Sequence, residues 1–405
     1  MLYGWLISWS LPTTPSPLEL YPVLATEPSA TSKHPRRRAG WGYLTLVPQR
    51  RTLSLMSTKS EFRVGLIGCG SFGPEFARYL REVADVVAIC DPSEQHVQAA
   101  LAKDELNQAR PYTDYRQLIA AGGLDAVAVT APNFAHCEIV CAAADAGLHV
   151  YCEKAMARTV PECWQMVNAC RQNNVKLMVG HKRRLRPPWA RMIELTNDSI
   201  LGQPLAISVT EYADMRPYDY AGTWWTKGDL GGGLFHLHGV HVIDWFRAMC
   251  GDVRRVTAVH GPNHDSIYEY RDILHATFEF HSGAVASIHA SMLFPLHKFR
   301  ESQGPWVQCQ HGGLMMVPTM DYIDIHWQRL DEDEPHVERF DDLGFDHAFS
   351  LEAHDFVHWV TEDRQPCLTW VEGLRCVEMM EAAYRSAQSG GTAIEFPLYP
   401  ELEAG

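Results

Sequence analysis

A histidine-rich segment directly follows three successive glycines, Gly231–Gly233, in the second half of the chain. It contains His236, His238 and His241, and it ends at Asp244. Because an imidazole titrates near neutral pH, His241 can act as a general acid or base, and Asp244 at i+3 can hydrogen-bond to it. A histidine whose hydrogen bonds are satisfied inside the fold is the alternative. On a helix His236 points away from the other two histidines and no carboxylate cluster completes a ligand set, so we predict no metal site.

A glycine-rich turn, Gly-Cys-Gly-Ser-Phe-Gly, lies between an apolar run typical of a buried strand and a stretch typical of a helix. In this setting Gly68 permits the tight turn, Gly70 lets the backbone approach a pyrophosphate, and Gly73 lets the helix pack closely against the strand. The first N–H groups of that helix can bind phosphate oxygens. The spacing predicts a dinucleotide-binding turn made of Gly68, Cys69, Gly70, Ser71, Phe72 and Gly73.

An aspartate, Asp91, follows the next apolar run, Val86–Cys90. A carboxylate at the end of the second strand of such a unit accepts hydrogen bonds from the ribose hydroxyls and repels a 2′-phosphate. An unrelated surface aspartate beside a turn of glycines is the alternative. The turn and the aspartate together predict NAD(H) as the cofactor in preference to NADP(H).

Two short polar segments follow later strand-like runs and therefore lie at the same edge of the predicted sheet. Asn133 can cap a helix and also reach a bound cofactor, although a helix cap alone would explain it. Lys154 can orient a substrate hydroxyl beside a nicotinamide and stabilise a developing alkoxide, although a surface ion pair with Glu153 would explain it too. The cofactor contacts predicted in these segments are Thr130, Pro132, Asn133, His136 and Glu153.

The residues from 62 to about 180 alternate between strand-like and helical patterns. The strand-like runs are short and continuously apolar, as in a parallel sheet that is covered on both faces. They lie at Val64–Ile67, Val86–Cys90, Ala126–Val129, His149–Tyr151 and Lys176–Val179. We expect an α/β Rossmann domain that binds a dinucleotide over residues 56–183.

After Pro187 and Pro188 the pattern changes to alternating apolar and polar residues, which are typical of antiparallel strands with one solvated face. Four such runs lie at Leu205–Glu211, Arg255–His260, Ile273–Phe280 and Ala284–Ala290, and helical patterns cover Ala348–Thr361 and Glu372–Ser389. We expect residues 184–405 to form an α+β domain for substrate binding and oligomerisation. Its sheet should be open and mainly antiparallel, with helices on one face.

The composition is that of a globular protein long enough for two domains: 405 residues, 46% of them hydrophobic. A net charge of −14 argues against nucleic acid or an anionic membrane as a partner. Eleven cysteines without a C-x-x-C pair favour a reducing, cytoplasmic location. Residues 1–55 are basic and rich in Pro, Ser and Thr, and their first apolar run is too short to span a bilayer, so we expect a disordered extension there.

These motifs together resemble the Gfo/Idh/MocA family of nicotinamide-dependent sugar and polyol oxidoreductases. The resemblance covers nearly all of residues 62–400 and is carried by Gly68–Gly73, Tyr112–Tyr115, Thr130–His136, Glu153 with Lys154, Gly180–Arg184, Trp225 and Gly231–Asp244. It implies a Rossmann domain, an open sheet domain that often mediates assembly into homodimers or homotetramers, and a lysine near the nicotinamide, which is Lys154 here.

Three positions depart from the pattern of that family. Ala155 replaces the proline of the Glu-Lys-Pro motif, which mainly affects the rigidity of the loop. The glycine segment of the family usually supplies an aspartate followed four residues later by a histidine, and Leu237 stands at the aspartate position while His241 is present. An apolar group therefore replaces a proton acceptor. Lys182, where the family often has asparagine, adds a positive charge near the expected substrate site.

The resemblance implies an NAD(H)-dependent oxidoreductase that transfers hydride between the nicotinamide and a hydroxyl or carbonyl group of a sugar, polyol or related compound. Lys154 would orient the reacting hydroxyl and His241 would take its proton. Predicted substrate contacts are Arg184, Trp225, His238 and Asp244. Two alternatives stay open because of Leu237: redox-neutral glycoside cleavage or epimerisation with a permanently bound NAD, and a sensor that binds the nucleotide without catalysis.

Overall fold

The computed structural model describes residues 61–197, 200–215, 220–263, 267–294, 303–319, 321–341 and 344–403. The extension predicted for residues 1–55 lies outside these ranges. Among the described residues, no helix combines the length and the apolar composition that a membrane span requires.

The first sheet is parallel and consists of six strands in the order β3-β2-β1-β4-β5-β6. Its strands are β1 (Arg63–Ile67), β2 (Asp85–Cys90), β3 (Arg110–Tyr112), β4 (Ala126–Val129), β5 (His149–Glu153) and β6 (Leu177–Gly180). The connecting helices are α1 (Gly73–Val83), α2 (Glu94–Leu101), α3 (Tyr115–Ala120), α4 (Asn133–Asp145) and α5 (Val160–Gln172). The predicted Rossmann fold is confirmed, and the carboxyl ends of its strands form one edge where a ligand can bind.

The second sheet is mixed and mostly antiparallel, with nine strands in the order β14-β13-β12-β11-β7-β10-β9-β8-β15 and one parallel pair, β7 with β10. Its strands are β7 (Pro204–Tyr212), β8 (Val253–His260), β9 (Ile273–Phe280), β10 (Val285–Ser291), β11 (Gln303–Cys309), β12 (Gly312–Pro318), β13 (Ile323–Arg329), β14 (His336–Phe340) and β15 (Ile394–Glu395). The predicted open sheet is therefore confirmed, and it is wider than the four strands named from the sequence.

The helices of the second half are α6 (Pro187–Asn197), α7 (Gly228–Gly231), α8 (Val240–Cys250), α9 (Asp346–Glu362), α10 (Trp370–Gln388) and α11 (Pro400–Glu403). Helix α10 begins with a capping box in which Thr369 and Glu372 satisfy each other's backbone N–H groups. Helices α6, α8 and α10 contact strands of the second sheet, where alternate side chains such as Leu274, Ala276 and Phe278 are fully buried. One face of the sheet thus carries the helices, as expected.

Helix α9 lies late in the sequence and nevertheless packs against the first sheet. Phe349 on α9 contacts Phe76 on α1, and Asp346 accepts a hydrogen bond from the Tyr79 hydroxyl at 2.6 Å. Glu352, also on α9 and fully buried, accepts a hydrogen bond from the Tyr151 hydroxyl on β5 at 3.0 Å. The last third of the chain therefore helps to cover the dinucleotide-binding sheet.

Candidate active site

The glycine turn between β1 and α1 has no room for side chains at two of its three glycines. Gly68 has a φ of +107°, and a Cβ there would lie 2.5 Å from the backbone nitrogen of Ala131. A Cβ on Gly73 would lie 2.0 Å from the carbonyl oxygen of Gly68. A Cβ on Gly70 would meet no described atom within 4 Å, so this part of the backbone is open to a ligand. The turn therefore fits a bound pyrophosphate as the sequence predicts.

Asp91, at the end of β2, is tied to the same turn. One carboxylate oxygen accepts a hydrogen bond from the backbone N–H of Cys69 at 2.8 Å, and the other accepts one from Ser93 at 2.9 Å. The His96 ring lies 3.1 Å from the second oxygen. A carboxylate oxygen can accept more than one hydrogen bond, so Asp91 can hold the turn and still bind ribose hydroxyls.

The segment after β4 is tied into the fold through several hydrogen bonds. The Thr130 hydroxyl donates to the carbonyl of Gly68 at 2.7 Å, and Pro132 directly precedes α4. The Asn133 amide donates to the carbonyl of Gly231 at 2.9 Å, while its own carbonyl oxygen is buried without a partner among the described residues. His136 is buried between carbonyl groups, with ring nitrogens 2.7 Å from Ala131 and 3.0 Å from Ala155. Of these predicted contacts, Asn133 has an acceptor left for a ligand.

Other predicted cofactor residues differ in their surroundings. Ser71 is exposed at the turn, whereas the Phe72 ring packs 5.2 Å from that of Phe349. Glu153 is buried; one of its oxygens accepts from the backbone N–H of Lys154 at 3.0 Å. Its other oxygen has no hydrogen-bond partner among the described residues and lies 4.0 Å from the Lys182 ammonium.

Lys154 follows β5 directly, and its ammonium group lies between the two halves of the chain. It donates a hydrogen bond to the carbonyl oxygen of Leu237 at 3.3 Å. Burial lowers the pKa of Lys154 to about 8, and the neighbouring cations of Lys182 and Arg183 act in the same direction, against Glu153. A lysine with this pKa is poised to donate or exchange a proton near neutral pH.

His241 lies at the start of α8 and is buried, and its Nδ1 atom has no partner among the described residues. Burial and then the charge of Lys154 hold its pKa well below the usual value, so the ring is neutral and can accept a proton. His238 is similar: burial and Lys154 lower its pKa to about 3, and its Nε2 atom is unpartnered within the described part of the chain. Lys154 therefore lies close enough to His238 and His241 for its charge to lower the pKa of both rings.

The third histidine of the segment has a different environment. The His236 ring lies 3.1 Å from the carbonyl of Arg158 and stacks on Tyr384 at 5.9 Å. Trp225 was predicted to contact the substrate. Its ring lies 6.0 Å from the ring of His238, another predicted substrate contact. His238 and Trp225 therefore border the region around Lys154, and His236 does not.

Arg184 and Asp244 form a buried ion pair with each other. The Arg184 guanidinium donates to Asp244 through two nitrogens, one of them at 2.7 Å, and Asp244 is fully buried. The hydrogen bond expected between His241 and Asp244 is not formed among the described residues, because Arg184 occupies the carboxylate. Substrate contact by Arg184 and Asp244 stays a prediction, and their pairing gives them the task of holding the segment after β6 against α8.

Asp244 also lies 3.8 Å from His181 and 3.9 Å from the Cys376 thiol. These three side chains could offer one ligand atom each to a metal ion. The Arg184 guanidinium already neutralises the carboxylate, however, and a second cation beside it would be repelled. We therefore assign no metal to this group.

The contacts of several charged groups at the site were not identified from the sequence, although Lys182 itself was expected near the substrate. The Lys182 ammonium lies 4.5 Å and 4.7 Å from the rings of Phe72 and Phe349. Arg183 forms a two-pronged ion pair with Glu211 at 2.7 and 2.8 Å. These partners come from distant parts of the chain, so no local pattern could have identified them. An aromatic cluster that includes Trp224 had a visible signal, the density of aromatic residues in the segment that begins at Tyr220.

Two domain models of one family match this chain. Residues 62–181 match an oxidoreductase family with an NAD-binding Rossmann fold, GFO/IDH/MocA. Residues 189–315 match the GFO/IDH/MocA C-terminal domain. The two matches together cover more than half of the chain and fall on the two sheets described above.

Curated relatives are similar at low identity. The D-xylose 1-dehydrogenase (NADP(+)) 2 of Haloferax volcanii is 28% identical over 329 residues, which is 80% of this chain and 97% of that protein. The inositol 2-dehydrogenase/D-chiro-inositol 3-dehydrogenase of Lactiplantibacillus plantarum is 31% identical over 162 residues, 39% of this chain and 46% of that protein. An uncharacterized oxidoreductase of Streptococcus pneumoniae is 29% identical over 205 residues, or 50% and 53%. The last two matches span about half the length of those relatives.

Solved structures are similar in fold. The WlbA dehydrogenase from Bordetella pertussis, in complex with NADH and UDP-GlcNAcA, is 25% identical with a TM-score of 0.72, covering 84% of this chain and 100% of that chain. Levoglucosan dehydrogenase, in complex with NADH and levoglucosan, is 21% identical with a TM-score of 0.74 and the same coverage. The second likeness establishes the fold alone.

Proposed function

The chain belongs to the Gfo/Idh/MocA family of oxidoreductases, and we propose that it is an NAD(H)-dependent dehydrogenase acting on a CH–OH group of a sugar, polyol or related compound. The observation that carries this proposal is Lys154. This partly buried lysine, whose pKa is lowered, lies beside the neutral His241 and at the edge of the sheet that carries the NAD-binding turn. Buried ionisable groups with shifted pKa values concentrate at functional sites.

The residues present fit a bound NAD, since the open backbone at Gly70 and the carboxylate of Asp91 match a pyrophosphate and a ribose. NAD supplies the hydride acceptor or donor at its nicotinamide ring. The Lys154 ammonium donates a hydrogen bond to the reacting oxygen and stabilises negative charge as it develops there. His241 accepts the hydroxyl proton at an unpartnered ring nitrogen, and the burial of His241 keeps water from competing.

The test is an assay of the full chain with NAD⁺ and a panel of pentoses, hexoses, inositols and anhydrosugars, monitored at the NADH absorbance band. We expect NADH to form with at least one member of the panel. A flat trace accompanied by loss of the sugar in chromatography would instead support redox-neutral chemistry with a retained NAD. Leu237 favours that second candidate, because it leaves His241 without the aspartate partner usual in the family. No change in any sugar would contradict both enzymatic proposals and favour the sensor.

We expect Asp91→Ala to shift the cofactor preference toward NADP⁺ by about tenfold or more, measured as the ratio of kcat/KM for the two cofactors. The physical reason is the loss of repulsion between the Asp91 carboxylate and a 2′-phosphate. Asp91→Asn is the matched variant, because an amide oxygen can still accept the bond from the Cys69 N–H but carries no charge. A preference for NAD⁺ that survives in both variants would show that another group sets it.

We propose that the chain forms a homo-oligomer through the outer face of the second sheet. This face carries three exposed apolar side chains: Trp306 (46% exposed), Met315 (45%) and Val285 (39%). In the sheet, Trp306 pairs with Met315 on one side and with Ser208 on the other, and Ser208 in turn pairs with Ser287. Small and apolar side chains on an uncovered sheet suit close packing of two such sheets. Trp306→Lys should lower the mass measured by light scattering toward that of one chain. A wild-type mass of a single chain at micromolar concentration would contradict this proposal.

A cytoplasmic location also remains our proposal. All eleven cysteines are free thiols, as expected in a reducing compartment. Recovery of the protein in a secreted or periplasmic fraction after cell fractionation would contradict it.

A further inference from the structure

Four aromatic side chains form a continuous, partly exposed surface, here called the aromatic wall: Phe134, Tyr220, Trp224 and Trp225. The rings of Tyr220 and Trp225 are stacked at 4.8 Å, those of Trp224 and Trp225 lie 5.4 Å apart, and Phe134 meets Trp224 edge to face at 6.3 Å. Phe134 is 36% exposed, and the other three are partly exposed. Large aromatic side chains that stay in contact with water are costly and commonly mark binding surfaces.

The wall begins at the candidate catalytic groups and leads away from them. Trp225 lies 6.0 Å from the His238 ring, and His238 follows Leu237, whose carbonyl binds Lys154. At the other end, Phe134 is the neighbour of Asn133, which donates to the carbonyl of Gly231. The two halves of the chain therefore build the wall together, next to the place where the reacting hydroxyl is proposed to bind.

Two hydroxyl groups hold the backbone of the wall in place. The Tyr270 hydroxyl donates to the carbonyl of Trp225 at 2.8 Å, and the Thr223 hydroxyl donates to that of Tyr220 at 2.7 Å. A Cβ on Gly231 would lie 3.1 Å from the carbonyl oxygen of Trp224, so the glycine segment packs directly behind the wall. A surface fixed in this way loses little conformational freedom when a ligand binds.

The surroundings of the wall favour an uncharged ligand. Among the described residues, Lys227, two residues after Trp225, pairs with Glu269, and Arg158, which also donates to the carbonyl of Asp229, pairs with Glu162. A ligand with a diphosphate group would need cations that are available to it. A sugar ring, by contrast, presents a face of C–H groups that packs on an aromatic ring and hydroxyl groups at its edge that remain in water.

We propose that the aromatic wall is a second sugar subsite, and that the substrate is a glycoside of at least two rings. The reacting ring lies beside Lys154 and His241, and the second ring packs on Trp224 and Phe134. This inference rests on the proposed dehydrogenase function and specifies its substrate class. Two-ring substrates bind better because the second ring buries apolar surface that a monosaccharide leaves exposed.

The experiment compares matched pairs, each a monosaccharide and its disaccharide, such as glucose with cellobiose and xylose with xylobiose. We expect the wild-type kcat/KM with NAD⁺ to be at least about tenfold higher for the disaccharide of the productive pair, which corresponds to about 1.4 kcal/mol. Trp224→Ala and Phe134→Ala should each bring this ratio close to one. Phe134 is exposed enough that its truncation leaves the fold intact even if the tryptophan variant is unstable. Trp327→Ala, at a partly exposed tryptophan on β13, is the matched control and should leave the ratio unchanged.

Calorimetric titration of the disaccharides into protein loaded with NADH separates the two proposals. If neither member of any pair is oxidised but disaccharides bind and the two variants abolish binding, the subsite stands and the dehydrogenase function fails. If monosaccharides are oxidised as well as disaccharides and neither variant changes the ratio, the function stands and the subsite is wrong. Disaccharides that neither bind nor react overturn the subsite as well.

Discussion

Replacement of Lys154 by methionine should lower kcat by about 10²- to 10³-fold while the protein still binds NADH. Methionine has a similar length and fills the same space, but it cannot donate a hydrogen bond to the reacting oxygen or stabilise negative charge on it. The measurement is steady-state oxidation of the best sugar, with NADH affinity from fluorescence titration. Lys103→Met, at an exposed lysine shortly after α2, is the control and should have wild-type kinetics. A kcat within a factor of about ten of wild type would exclude Lys154 as the main donor.

The same variant should be more stable than wild type at pH 7. The pKa of Lys154 falls from its usual 10.5 to about 8 in the folded protein, so folding with a charged Lys154 costs as much as about 3 kcal/mol. Between pH 8 and 10.5 the unfolded chain holds the Lys154 proton and the folded protein does not. Wild-type stability therefore rises with pH through this window, and the advantage of the methionine variant shrinks. Urea unfolding at pH 7 and pH 10 measures this; a variant that is both inactive and destabilised would point to a structural role instead.

Replacement of His241 by alanine should lower kcat by about 10²- to 10⁴-fold, because a neutral imidazole positioned to take the hydroxyl proton is lost. Added imidazole should restore part of the activity in this variant, which a merely structural role would not predict. His347→Ala, at an exposed histidine on α9, serves as the control and should neither lose activity nor respond to imidazole.

The pH profile provides a second readout for His241. Burial and Lys154 hold the pKa of His241 well below its usual value, so the ring stays neutral at pH values where an ordinary histidine would be charged. In the oxidation direction the wild-type kcat/KM should therefore keep its value below pH 6.5 and decline only at more acidic pH, when the ring is protonated. A decline centred on pH 6.5 or higher would mean that another group, or a more exposed His241, takes the proton.

Local sequence patterns determined the first sheet. Five of its six strands are continuous apolar runs, and the missed one, Arg110–Tyr112, is three residues long with no apolar run. In the second sheet, β13 does alternate apolar residues at Ile323, Ile325 and Trp327, so its signal was present. The strands from β11 to β14 were nevertheless not predicted, and the sheet is accordingly wider than expected.

The sequence by itself was enough to predict the dinucleotide site, because that predicted site lies within one strand–turn–helix–strand unit. Gly68, Gly70, Gly73 and Asp91 are near one another in the chain, and their tasks follow from backbone geometry that a glycine pattern states directly. Asn133 and Lys154 each follow a strand of the same parallel sheet. Because the carboxyl ends of parallel strands lie at one edge, both segments were expected beside the glycine turn.

Only the tertiary structure decided which charged groups are available for chemistry. Arg184 and Asp244, similar to Lys154 and His241 as candidates in the sequence, neutralise each other 60 residues apart, and Glu352 meets Tyr151 across 201 residues. Likewise, Phe134 follows a strand of the first sheet and Trp224 follows a strand of the second, and their rings form one surface. The physical reason is that charge pairing, burial and the pKa shifts that follow depend on what packs around a side chain, and distant segments supply that environment.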